Sequence, residues 1–597
     1  MILQALKKYY DRKSDAEDGS MPKEGWIRRG VDYVVVLDTE GKCLNIELAG
    51  KIEKGKTIPR EMLVPAIGKQ ALKHTNSGND ANLLWDNAGF VFGTGKKGAF
   101  KIASFLSTLR SWLGGIQDEG VTAIERFCSK AQTEPEMVVS LLEKFQLNEE
   151  FEKRDPILVF RLVSDLESIH ARKPVRDVYE QKRLQNNLKA SLRGTCLITG
   201  QEDTPLAPNE TVIKGVWGGQ PAGCNIVSFN ARSFESYGKR DRNGENAPIG
   251  ITSSFAYTTA LNHLLSTERQ RVQVGDASTV FWAEQPHDLE TMAADLFGEP
   301  PKDEPDRGAD ALKALYQSVE SGKFTVGETD TRFHILGLAP NAARISIRFW
   351  ETAPAYELAR RLKRHFDDLK IARAPNDPEH LSLFRLLTSI AVQGKADNIP
   401  PNLGGDIIRA ILEDLPYPAT LLNAAVQRCR AEHKVTYPRG AALKAWLNRD
   451  IRRVNRNIHE PEKEFDVMLD PENTDAAYRM GRLFAVLEKI QEEANPGINA
   501  TIRDRYYGAA SSSPATVIPL LLKLATHHIG KLDEKGRKIL YRAFSDNKPD
   551  DYIGQVLNQV EEIPRQLRLP EQGRFALGYY HQRQSFFTKH DDQPAEK

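Results

Sequence analysis

A change of pattern near residue 352 constrains this chain more than any other feature. Before it, short β-type runs alternate with loops rich in Gly, Asn and Ser; after it comes an almost unbroken series of amphipathic helical segments. MILQALKKYYDRK (1–13) predicts a first helix, and YVVVLD (33–38), a turn at Gly41 and CLNIEL (43–48) predict a β-hairpin. FVFGTGKKG (90–98) predicts a strand running into a basic turn, and helical patterns fill about 99–192. Residues 278–283 and the runs FHILGLAP and ARISIRFW within 331–350 predict further strands. In the last of these, Ile345, Ile347 and Phe349 alternate with Arg344, Ser346 and Arg348, the pattern of a half-buried strand with a basic outer face. Beyond 352, YELARRLKRHFDDLK, LSLFRLLTSIAV, DIIRAILEDL and AALKAWLNRDIRRVNRNI carry apolar faces at helical spacing. A charged, Pro-containing stretch (459–475) then precedes a last helical block. The expected fold is α+β: an N-terminal α/β region over 1–375, a helical connector with a basic face over 376–466, and a C-terminal helical bundle over 467–597.

Composition removes several classes. Lys+Arg total 82 against 81 Asp+Glu, a net charge of +1, so a globally basic nucleic-acid coat is excluded while local basic faces are not. The five cysteines (Cys43, Cys128, Cys196, Cys224, Cys429) contain no CxxC and make no disulfide framework, which suits a reducing cytoplasm. The N-terminus lacks the apolar core of a signal peptide, and no run approaches the roughly 18–20 apolar residues of a membrane span. A cytoplasmic protein with no membrane partner is expected.

Catalytic patterns are weak. Asp38 and Glu40, at i and i+2 beyond an apolar strand, could hold the first divalent ion of a nuclease, but Asp-Thr-Glu-Gly also reads as a hairpin turn, the plainer account. Glu47 and Lys51 have the wrong spacing for a restriction-type site, and Cys196 and Cys224 lack the knuckle partner a zinc ribbon needs. GTGKKG (93–98) is no Walker loop, although its amides with Lys96 and Lys97 could meet a phosphate; a solvated turn is an equal reading.

The amide-rich loops carry more. VWGGQPAG (216–223) and SFNARSFESYGKRDRNGENAP (228–248) combine Gly, Asn and Gln with Lys and Arg, suited to reading groove edges while holding phosphates. Composition alone leaves a purely structural loop set open. Residues 426–460 hold nine basic and three acidic side chains, with Tyr437 and Trp446 interleaved. Arg449, Arg452, Arg453 and Arg456, spaced by three, one and three, predict a helix face that tracks a nucleic-acid backbone, against the bland reading of a solvated helix.

SFNARSFESYGKRDRNGENAPIGITSSFAYTTALNHLL (228–265) resembles the central motif of the large subunit of the type I-C CRISPR surveillance complex, Cascade. ILGLAPNAARISIRFW (335–350), NIPPNLGGDIIRAILEDLPYPATLL (398–422), GINATIRDRYYGAASSSPATVIPLLLKL (497–524) and EQGRFALGYYHQRQSFF (571–587) follow in the family's order, so the resemblance spans essentially the whole chain. It implies a non-catalytic subunit without cofactor or metal. Guide RNA reads the target DNA by pairing, while this subunit reads the protospacer-adjacent motif in duplex DNA, starts unwinding and supports the R-loop. It also implies partners: the backbone, cap and small subunits, and a recruited helicase–nuclease that cuts. Carried onto this sequence, the resemblance offers Gly218, Gly219 and Gln220 as a loop and wedge. It offers Asn230, Ser233, Tyr237 and Lys239 from the central motif, with Asn76, Asn79, Lys96 and Lys97 as secondary contacts. It further implies that the C-terminal block is also made separately as the small subunit. Met468 precedes that block, and Lys463-Glu464 can be encoded as a ribosome-binding sequence; Met480 and Val467 are other possible starts.

Overall fold

The run Tyr33–Leu37 (β1) is apolar along its whole length, and it lies inside a four-stranded sheet where both faces are covered. The computed structural model describes residues 1–14, 21–53, 56–72, 76, 78–95, 97–188, 192–229, 231–239, 243–274, 276–301, 304, 306–320, 331–400, 402–456, 459, 461–534, 536, 552–558 and 560–587. These form two compact units, one of residues 1–214 with 221–263, the other of 215–220 with 264–597. The fold is α+β.

In the first unit, helix α1 spans Ile2–Ser14. The sheet orders β2 (Cys43–Leu48), β1, β4 (Ile157–Leu162) and β3 (Trp85–Asn87). The expected hairpin pairs β1 with β2 antiparallel, whereas β1 and β4 run parallel, with Tyr33 opposite Leu158 and Leu37 opposite Leu162. Strand β4 corrects the expectation that residues 99–192 are helical throughout apart from breaks near Gly114-Gly115 and Pro135. Its six residues ILVFRL are buried except for Arg161, and so short an apolar run carries no period to tell strand from helix. Asp32, just before β1, accepts the Ile157 N–H at 2.9 Å and so fixes the register of the parallel pair. The strand expected at 90–92 is also corrected: Ala88–Val91 is a helical turn, and the strand is the three residues before it. Asp155 accepts the Gly89 N–H at 2.8 Å, which ends β3 and starts that turn. Helices α2 (Gly98–Leu113) and α3 (Glu119–Thr133) close one face of the sheet, bringing Phe105 and Phe127 within ring contact of Phe160. Helix α4 (Ile251–Ser266) begins the segment that leads into the second unit.

The second unit opens with an antiparallel meander, β5 (Arg271–Val274), β6 (Ala277–Ala283), β7 (Arg332–Asn341) and β8 (Arg344–Pro354). The alternation expected in β8 holds only in part. A bulge between Gly337 and Leu338 pairs Ile347 with Leu338 and Phe349 with Gly337, leaving Arg348 as the extra residue. One inserted residue flips the phase: Phe349 turns to the helical core, while Ile345 and Ile347 stay on the opposite face, Ile347 42% exposed.

Helices follow: α5 (Ala355–Leu369), α6 (Leu403–Leu412), α7 (Ala419–Glu432), α8 (Tyr437–Asn455), α9 (Ala476–Ala494), α10 (Ile502–Ala510), α11 (Pro514–Ile529) and α12 (Leu569–Ser585). Their apolar faces share one core with Phe281, Phe333 and Ile335 of the sheet. Asp475 caps α9 by accepting the Tyr478 N–H, and Thr501 with Asp504 forms a capping box on α10. The stretch 459–475 is docked: Asn448 exchanges two hydrogen bonds with the Phe465 backbone, at 2.8 and 2.9 Å. Helices α9 and α12 approach at Gly481 and Gly578, each facing a backbone carbonyl of the other helix. Within the helical block expected over 467–597, the segment KGRKILYRAF (535–544) lies, apart from Gly536, outside the described residues. Among the described residues, no helix is long and apolar enough to cross a membrane.

Candidate nucleic-acid interface

The loop VWGGQ joins the second unit although its sequence neighbours on both sides belong to the first. Val216–Gly219 is a tight turn, closed by the Gly219 N–H donating to the Val216 carbonyl at 3.0 Å. Gly218 has φ +72°, the left-handed conformation that the third position of such a turn requires and that glycine adopts without strain. The Trp217 N–H donates to Ser278 Oγ of β6 at 2.8 Å, and Pro340 of β7 lies against Gly218. The turn is thus held against the sheet. It presents Gln220 to solvent and leaves the Trp217 ring 52% exposed. Trp217 was not singled out in the sequence; an isolated indole between Val216 and two glycines in a polar loop was the available signal.

The segment 228–246 belongs to the first unit. Its root is pinned by Glu210, which accepts the Ile226 and Val227 N–H groups and the Tyr257 hydroxyl of α4. Burial pushes the Glu210 carboxyl above its ordinary range, against the pull of those donors. Ser233 sits exposed in the short turn Arg232–Phe234, and Tyr237 is 96% exposed at φ +52°. Lys239 is tied inward: its ammonium donates to the Glu245 carbonyl at 2.8 Å, and Asn246 Nδ2 donates to its own carbonyl. Asn230 lies outside the described residues. Ser233 and Tyr237 are therefore the members of this set that offer side chains to a ligand, and Gly218–Gln220 stand in the other unit.

Asn76 is a strut. It is 2% exposed and donates to the Asp86 carboxylate at 3.1 Å and to the Asp80 carbonyl at 2.8 Å. Asp86 also accepts the N–H groups of Asn82 and Asn87, yet burial pushes its carboxyl up to about 7. Asn79 is exposed, and its carbonyl accepts the Ser104 hydroxyl. Lys97 is exposed at φ +69° just before α2, and Lys96 lies outside the described residues.

The four arginines at the C-terminal end of α8, with Arg456 as its cap residue, do not share one outward face. Arg449 is 5% exposed and bonds Asp368 of α5 at 2.7 Å and the Ala410 and Leu415 carbonyls, with its guanidinium 4.1 Å above the Tyr417 ring. Arg452 pairs with Asp368 and Glu464. Arg453 pairs with Asp450 on its own helix, and Arg456 is exposed. The central part of α8 is covered nearly all round, Arg439 and Lys444 included, because it packs against α5, α7 and α12.

A family model described as CRISPR-associated protein (Cas_Csd1) matches residues 6–587, nearly the whole chain. The chain belongs to the Cas_Csd1 family. No curated protein matches it.

In this Cas_Csd1 chain the carboxylates weighed as nuclease ligands have other work. Asp38 accepts the Lys42 N–H at 2.8 Å across the β1–β2 turn, and Glu40, 80% exposed at its side chain, pairs with Arg126. Glu47 is paired with Arg161. Cys196 and Cys224 are buried and not in a disulfide, with Cys196 Sγ accepting the Gly250 N–H at 3.3 Å. Among the described residues no group of three His, Cys, Asp or Glu side chains is placed to hold a metal ion.

Proposed function

We propose that this Cas_Csd1 chain is the large subunit of a type I-C Cascade, reading the protospacer-adjacent motif in duplex DNA without cutting it. The observation that carries this reading is the Val216–Gly219 turn, which is braced on β6 and β7 yet presents Trp217 and Gln220 outward. Such a turn positions an amide and a flat ring without the ordering cost of a mobile loop. Guide RNA pairing then reads the target strand, the backbone, cap and small subunits complete the assembly, and a recruited helicase–nuclease cuts.

Gln220→Ala is expected to weaken binding to motif-bearing duplex by about 1–3 kcal/mol and binding to motif-free duplex much less, because one base contact is worth about that much. Electrophoretic titration of the two duplexes measures both. Equal losses would move Gln220 to phosphate positioning and remove it from readout. The same protein incubated with Mg²⁺ or Mn²⁺ leaves labelled DNA uncut; cutting that requires Asp38 and Glu40 would overturn the non-catalytic assignment.

The block beginning at or near Met468 is proposed to be made separately as the small subunit too. In the full chain, α12 lies on α7 and α8: Gly573 meets Leu422, Leu443 and Leu447, Gly440 meets Tyr580, and the Tyr580 hydroxyl donates to the Ala372 carbonyl at 2.7 Å. A separate product re-buries that stripe on another subunit. Expression with a C-terminal tag is expected to give a second, short band that persists in the purified assembly. A single full-length band, unaltered by silent changes in codons 463–464, would end the idea.

A further inference from the structure

A basic cleft runs between α5 and the C-terminal turn of α8, and only its α8 side was legible as a charge cluster. Two adjoining concavities of about 330 and 530 Å³ share Arg364 and Asp414. Seven arginines line them, against Glu357 and Asp414. Asp368, Asp450 and Glu464 pair with three of those arginines from outside the walls, which still leaves two positive charges over. The surplus is at identified side chains. Arg360 and Arg456 are exposed, and neither side chain has a hydrogen-bond or carboxylate partner among the described residues.

A third donor comes from below. Arg449 lines the first concavity while 5% exposed, and its Nη2 is buried with no hydrogen-bond partner, although its other nitrogens are satisfied. A buried donor left open costs stability unless something accepts from it. The simplest account of basic side chains at a helix end is that they complement the helix dipole, and it covers Arg452 and Arg453. It does not reach Arg360 and Arg364, which lie in the middle of α5.

We propose that this cleft between α5 and α8 is a phosphate site that holds the sugar–phosphate backbone of a nucleic-acid strand, through Arg360, Arg364, Arg453 and Arg456. Guanidinium groups match phosphate oxygens with paired N–H donors, and the cleft wall adds only Asp414, Leu415 and Pro416 to arginine near Arg449, with no exposed ring or amide to read a base. The site is therefore indifferent to sequence. It rests on the nucleic-acid reading above but not on motif recognition, so the two can fail separately.

The test compares the full chain with the double variant Arg360→Gln, Arg456→Gln. Both residues are exposed and have no side-chain partner among the described residues, so the thermal unfolding midpoint is expected to stay unchanged. Binding to an oligothymidine strand is followed across salt concentrations. Each lost single-strand phosphate contact lowers the slope of log K against log salt by about 0.7, so the double variant is expected to lose about 1.4. A control that removes two exposed arginines elsewhere in the unit, Arg565→Gln with Arg568→Gln, is expected to keep the slope. The ratio of motif-bearing to motif-free duplex affinity is expected to be the same in all three proteins. An unchanged slope in the first variant, or an equal loss in the control, overturns the site. Calorimetric binding of inorganic phosphate that the first variant abolishes, with oligothymidine affinity intact, overturns the strand and leaves a small-anion site.

Discussion

Asp368→Ala lowers the stability of the 264–597 unit by about 3–5 kcal/mol, the usual result when one partner of a buried ion pair is removed. The Arg449 and Asp368 side chains are each 4% exposed, and without Asp368 the Arg449 guanidinium is stranded in the interior beside Tyr417. Arg453→Ala, by contrast, changes stability by less than about 0.5 kcal/mol, because its pairing with Asp450 is exposed and local. Urea unfolding followed by tryptophan fluorescence separates the two. Combining Asp368→Ala with Arg449→Leu is expected to recover part of the loss, since an apolar pair carries no uncompensated charge. A single Asp368→Ala variant with an unshifted unfolding midpoint would remove the pair from any structural role. The consequence for function is direct. Alanine scanning of the α8 arginines mixes a folding defect at Arg449 with surface effects at Arg453 and Arg456, so affinities of Arg449 variants report on folding first.

Gly481→Ala is expected to cost roughly 3 kcal/mol, despite alanine's intrinsic advantage of about 1 kcal/mol over glycine in a helix. A Cβ at 481 would stand 1.9 Å from the Phe575 carbonyl oxygen, and one at 578 would stand 2.1 Å from that of Tyr478. Both obstacles are backbone, so no rotamer change relieves them and α9 and α12 must move apart. That separation loosens Phe484, Phe575 and Tyr579, whose rings pack at 6.0 Å across the crossing. It also loosens the buried Glu488, which accepts the Tyr579 and Thr501 hydroxyls at 2.6 and 2.8 Å. Gly508 provides the contrast: a Cβ there meets nothing within 4 Å, so Gly508→Ala in α10 is neutral or stabilising by up to about 1 kcal/mol. Calorimetry on the two variants decides the matter, and a Gly481→Ala protein as stable as the parent would show that the helices do not cross at these glycines.

What the sequence by itself determined is what repeats along a single element. The 3.6-residue spacing of α5 through α12 and the hairpin β1–β2 follow from apolar positions on one face of one segment, as does the α+β division near 352. VWGGQ was legible as a Gly- and amide-rich loop, and the structure makes it a turn whose left-handed position falls to Gly218. What only the tertiary structure decided depends on partners distant in the chain. Strand β4 is a strand because it pairs with β1 from 125 residues away, and its six residues, five of them apolar, carried no period of their own. The bulge in β8 reverses which face Phe349 takes, although the alternation in the sequence is uninterrupted. Asn76 and Lys239, which the resemblance offers as DNA contacts, spend their donors on Asp86 and the Glu245 carbonyl. Arg449 and Arg453 are four residues apart and would share one face of a helix; one is buried and the other exposed because Asp368, 81 residues before Arg449, faces only the first. Composition counts a charge, but whether that charge meets water, a carboxylate or a phosphate is set by what packs against it.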